Sequence, residues 1–136
     1  STLGTVAFHL DNIQTIPSVT YTADGIWKHY VEIQKTYQVF HIQQVTCYPS
    51  HIKLAGKMDR DLVTQPESVS VILADGTMVS AIDLQSGKGG LSAGYGVSHN
   101  LDGTGWLEFD LPQPIDPNAV TYLKVDQTII PLTAAE

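Results

Sequence analysis

The chain carries one cysteine, Cys47, in 136 residues. A lone thiol closes no disulfide within the chain, so the fold must be held by packing, and the cysteine count identifies no redox compartment. Basic residues are also few, seven Lys and Arg against fourteen Asp and Glu, for a net charge of -7. No five-residue window gathers a basic patch able to neutralise phosphates, which argues against nucleic acid as a partner. A long apolar run is missing as well. The opening "STLGTVAFHL" has no initiator Met, no basic stretch and no extended apolar core. Neither a signal peptide nor a transmembrane helix is expected in the sequence as it stands, which reads as a processed protein or an excised domain. Any contact with a membrane is expected through segments outside this chain.

What is present is apolar enough to fold. Hydrophobic residues make up 43% of the chain and charged residues 15%, and a chain of this length buries roughly two thirds of its unfolded-state surface. A single soluble domain over residues 1–136 is expected.

The apolar spacing is two, in short runs rich in Val, Ile, Thr, Tyr and Phe, so strands dominate. Candidate strands cover 5–10, 18–23, 26–34, 37–48, 51–56, 68–74, 77–85, 106–111, 120–125 and 128–132. With turn signals between them and no room for crossover helices, an antiparallel immunoglobulin-like β-sandwich of about eight to ten strands is expected. In "VSVILADGTMVSAIDL", Asp75-Gly76 suits a type I′ turn in a tight hairpin. A second hairpin is expected around Asp126-Gln127. In 37–48 the apolar parity slips by one around Gln43-Gln44, which is what a β-bulge inserts. Pro49 lacks a donor and is expected at an edge or at a bend where the strand leaves one sheet, which makes "CYPSH" a corner between two strands of the kind that carries a chain from sheet to sheet. The one long irregular stretch, 85–105, holds seven of the eleven glycines, and loops of this length are commonly functional or mobile.

Candidate chemistry is thin. Cys47 has His51 four residues on, and the order His9, Cys47, Arg60 resembles that of sortase transpeptidases. The family's Thr-Leu-x-Thr-Cys is reduced here to "QQVTC", however, and Val45 and Tyr48 suggest an apolar setting that would not depress a thiol pKa. Cys47 is therefore expected to be a buried structural thiol. The five histidines show no short metal-ligand spacing, so no metal site is expected. "GVSHN" lacks the last glycine of a nucleophile elbow, and "SGKGG" matches no phosphate-binding loop. No cofactor and no catalytic residue are expected. Trp27 and Trp106 are both expected in the core, with a sugar-stacking platform helped by Tyr95 as the alternative.

Four stretches carry a resemblance: "GIWKHYVEI", "VFHIQQVTCYPSHIKLAG", "VSVILADGTMV" and "WLEFDLPQPIDPNAVTYLKVDQTIIPL". In this order the chain resembles the immunoglobulin-like extracytoplasmic C-terminal domain of Gram-positive membrane-anchored anti-sigma factors. The resemblance runs from about Trp27 to Leu132. It implies a non-enzymatic sensory or interaction domain outside the cell membrane, or secreted, that binds an extracellular ligand or protein partner. The alternative is a cell-surface adhesion or carbohydrate-binding module. The glycine-rich stretch is the first place to seek the ligand, with Tyr95, His99, Asn100 and Asp102 as candidate binding side chains.

Overall fold

The computed structural model describes residues 17–58, 66–83, 88–89, 97–99 and 103–135, with the side chains of 83, 88–89 and 97–99 outside the description. Eleven strands follow in chain order: β1 (Val19–Val31), β2 (Thr36–Cys47), β3 (His51–Met58), β4 (Ser68–Leu73), β5 (Met78–Asp83), β6 (Lys88–Gly89), β7 (Val97–His99), β8 (Thr104–Asp110), β9 (Val120–Val125), β10 (Thr128–Pro131) and β11 (Thr133–Ala134). They form a six-stranded sheet in the order β11-β1-β2-β3-β8-β7 and a five-stranded sheet in the order β10-β9-β4-β5-β6. Every pairing between neighbouring strands is antiparallel. This is the antiparallel β-sandwich that period-two burial implies. The count exceeds the expected range because β6, β7 and β11 are only two or three residues long. The candidate strand at 5–10 lies outside the described residues.

The core is built from alternate residues. Phe40, Ile42, Val45 and Cys47 of β2, Ile52 and Leu54 of β3, and Leu107 and Phe109 of β8 point inward from one sheet. Val69 and Val71 of β4 and Leu123 and Val125 of β9 answer them from the other. All twelve of these side chains are fully buried, and burying a Val, Leu, Ile or Phe side chain contributes about 1.5–3 kcal/mol.

Two irregularities shape the sheet. Between β2 and β3 the register shifts between Ile42 and Gln44, leaving Gln43 as the extra residue. The bulge is where the parity slip puts it, and it leaves Gln43 and Gln44 both exposed. It also requires Gly56 opposite, because a Cβ there would overlap the carbonyl oxygen of His41. The second irregularity corrects a sequence expectation. Segments 18–23 and 26–34 are one strand, β1, with a bulge between Thr22 and Gly25, and β2 pairs with both halves. Gly25 passes so close to Ile130 that a Cβ would collide with that side chain. Asp24-Gly25 therefore marks a bulge where β1 passes close to the opposite sheet without ending.

Three turns also differ from expectation. Asp75-Gly76 is not a type I′ turn, because Gly76 has φ 90° while Asp75 is absent from the positive-φ residues. The Gly76 N–H donates to the Leu73 carbonyl at 2.9 Å and the Leu73 N–H to the Thr77 carbonyl at 2.8 Å, the pattern of a three-residue loop closed by a glycine bulge. The Thr77 N–H and side chain hold the exposed Asp75 carboxyl below its ordinary range. Pro49 does not carry the chain between sheets. Tyr48-Pro49-Ser50 is the tip of the β2–β3 hairpin within one sheet, closed by the Tyr48 N–H donating to the His51 carbonyl at 2.9 Å. Finally, 85–105 is not irregular throughout, since β6, β7 and the start of β8 fall inside it. That segment takes the chain from the edge of one sheet to the edge of the other.

Candidate functional site: the outer face of the six-stranded sheet

Cys47 and His51 flank the β2–β3 turn but belong to opposite faces. Cys47 lies in the core, completely buried, and burial pushes its thiol from 9.0 up to about 12. A thiol that stays protonated at neutral pH is a poor nucleophile. His51 is partly exposed, stacks on Tyr48 with ring centroids 4.1 Å apart, and sets Nε2 3.5 Å from Glu108. His9 and Arg60, the other members of the sortase-like order, lie outside the described residues. Among the described residues no three His, Cys, Asp or Glu side chains group as a metal set would. No helix among them is long and apolar enough to cross a membrane.

The two tryptophans part company. Trp27 is in the core, 2% exposed, its ring stacked on His29 at 5.9 Å. Trp106 is not. In β8, Leu107 and Phe109 take the inward positions, so the residues of opposite parity, Trp106 and Glu108, stand on the outer face, each half-buried. The expectation that both rings fill the core gives way to strand parity.

On that face Trp106 borders an open cleft of about 390 Å³. Its walls are Trp106 on one side and Gln43 and Gln44 on the other, with Lys53 beside them. Ala55 and the backbones of Gly56 and Gly105 form the floor. The row is set by register: Gln44 pairs with Ala55, and Ala55 with Trp106. The Lys53 ammonium lies 5.3 Å from the Trp106 ring centroid, within range of a cation–π attraction. Farther along, Tyr30 and Tyr37 meet edge to face at 5.3 Å, 43% and 52% exposed, with the Lys28 ammonium 5.5 Å from the Tyr37 ring.

The candidate binding residues Tyr95, Asn100 and Asp102 lie outside the described residues. His99 is in β7, its backbone opposite Gly105, with its side chain outside the description. In the same register the Ser98 backbone is opposite Trp106. The residues that sequence reasoning missed are Gln43, Gln44 and Lys53. Their signal was the parity slip itself, since a bulge re-aims side chains.

Compared with known proteins, the chain matches no family model, no curated sequence and no solved structure.

Proposed function

We propose that the chain is a non-enzymatic extracellular sensory or interaction domain of a membrane-anchored regulator of the anti-sigma factor kind. On this reading it engages its ligand through the outer face of the six-stranded sheet. The observation that carries the reading is the contrast between two sites. The one thiol is sealed in the core, while the outer face offers a tryptophan, two glutamine amides and a lysine around an open cleft. Such a surface offers a partner an aromatic face beside polar groups that can fix its orientation.

A ligand alters signalling only by binding one conformation of the attached protein better than another. The test is a sigma-dependent reporter in cells carrying the intact membrane protein, with Gln43→Ala/Gln44→Ala and Tyr37→Ala in this domain. Altered reporter output at wild-type protein level is expected. A complete reading frame without a membrane-spanning helix, or output indifferent to both variants, would sink the reading. The second reading, a surface adhesion or carbohydrate-binding module, is favoured by the outward placement of Trp106.

A further inference from the structure

We propose that the Trp106 cleft binds a short acidic glycan, with one sugar ring against the indole and a sugar carboxylate on Lys53. This rests on the reading of the outer face as the binding face and names its ligand class.

The geometry begins with the small residue in the middle of the row. Gln44, Ala55 and Trp106 are directly opposite one another on three adjacent strands. At about 4.8 Å per strand, the Gln44 and Trp106 backbones stand roughly 9.6 Å apart, with the Ala55 methyl directly between them and the Lys53 ammonium 5.3 Å from the indole. Once a carboxylate draws the Lys53 ammonium off the indole, a saccharide ring can enter the cleft of about 390 Å³ and pack there. The indole face is electron-rich and attracts the C–H groups of a sugar's apolar face, which also loses water on contact.

The opposite wall supplies what the hydroxyls need. The bulge at Gln43 sets two consecutive amides on one rim, both exposed. Each amide offers a donor and an acceptor, so the pair can serve neighbouring hydroxyls that both donate and accept. Neither side chain forms a hydrogen bond with another described residue. A regular strand would turn one of the two inward.

Lys53 supplies the charge preference. It makes no ion pair among the described residues, although Glu108 is its cross-strand partner and stands 3.5 Å from His51. A carboxylate brought to Lys53 gains a charge-assisted hydrogen bond, stronger than a neutral one. A phosphate ligand fits less well, because a single lysine without a nest of backbone N–H groups is a weak phosphate cradle.

The test titrates the protein with trisaccharides of galacturonate and of mannuronate, and with cellotriose as the neutral control, by calorimetry and tryptophan emission. Trp27 is buried, so an emission change reports Trp106. Saturable binding of an acidic trisaccharide in preference to cellotriose is expected. Gln43→Ala/Gln44→Ala should weaken it by about tenfold or more, the equivalent of about 1.4 kcal/mol. Lys53→Met should abolish the preference for the acidic sugar. The glutamines are exposed, so the glutamine double variant keeps the fold, which a melting curve checks. Absence of binding, undiminished binding by the glutamine variant, or equal affinity for cellotriose overturns the assignment. If the glycans fail while the sigma-dependent reporter still responds to this face, the glycan assignment falls alone. Glycan binding with an indifferent reporter would sink the regulator reading and leave the cleft assignment standing.

Discussion

The indole N–H of Trp27 donates to Oδ2 of Asp126 at 2.6 Å, while Oδ1 of the same carboxylate accepts the backbone N–H groups of Glu67 and Ser68 at 3.0 Å each. One side chain therefore joins β1 of the six-stranded sheet to the β9–β10 turn and the entry to β4 of the other. Asp126 sits in the left-handed region at φ 52°, a conformation Asp tolerates better than most residues.

Replacing Asp126 removes three hydrogen bonds to a charged acceptor and leaves the buried indole donor without its partner. Asp126→Ala is expected to lower stability by about 2–4 kcal/mol. Asp126→Gly should cost less than Asp126→Ala, because glycine accepts positive φ without the penalty of about 1–2 kcal/mol that a Cβ brings. Urea melts of the two variants check both the size and the order.

Cys47 predicts two outcomes. In the folded protein at pH 8 it should resist iodoacetamide, and in denaturant it should react fully. Alkylation of the native thiol at the rate of a free cysteine would contradict its burial. The second outcome follows from its raised pKa, from 9.0 to about 12. Below pH 9 both folded and unfolded chains keep the proton and the stability is fully present. As pH rises toward 12 the unfolded chain loses the proton first, so stability falls. Urea melts across this range should show a shallower alkaline decline for Cys47→Ala than for the parent.

Tyr21 gives a further test of the same interior. Its hydroxyl donates to the Pro117 carbonyl at 2.6 Å, and burial, with Cys47 second, raises its pKa above 10.0. Tyr21→Phe leaves that carbonyl without its donor and is expected to cost about 1–2 kcal/mol at neutral pH. It should also reduce the alkaline decline, since a raised phenol pKa acts in the same direction as the raised thiol.

At Gly56 the added methyl of Gly56→Ala would meet the His41 carbonyl, part of the bulged backbone. Main chain yields less readily than a side chain, so a loss of about 2 kcal/mol or more is expected. Ala55→Gly, one residue away, should cost only about 0.5–1 kcal/mol. Thermal melts of the pair decide whether the bulge is the cause.

Much of the fold follows from local pattern. His51, Ile52, Lys53 and Leu54 alternate polar and apolar, and β3 begins there with burial alternating through to Met58. The bulge at Gln43 was legible as a broken parity, because a core face fixes which residues must turn inward. Trp106 was legible in the same way, since Leu107 and Phe109 already claim the inward positions; hydrophobicity weighed without parity sends it to the core. The continuity of β1 through Asp24-Gly25 was not legible, because such a pair reads as a turn and only the pairing of both halves with β2 shows otherwise. Nor was the route at Pro49, where a hairpin within a sheet and a corner between sheets share the same turn residues. The cleft needed both the bulge and the β3–β8 pairing, which joins residues that are distant in sequence.

The last strand lies beside the first. Ala134 pairs with Tyr21, and the Ala135 N–H donates to the Thr20 carbonyl at 3.0 Å. Among the described residues the start of β1 and the end of β11 therefore lie together at one pole of the sandwich. A load drawn across the two ends would peel β11 away like a zipper, its rungs parting in succession, and this two-residue clasp is the first point at which tension would be felt.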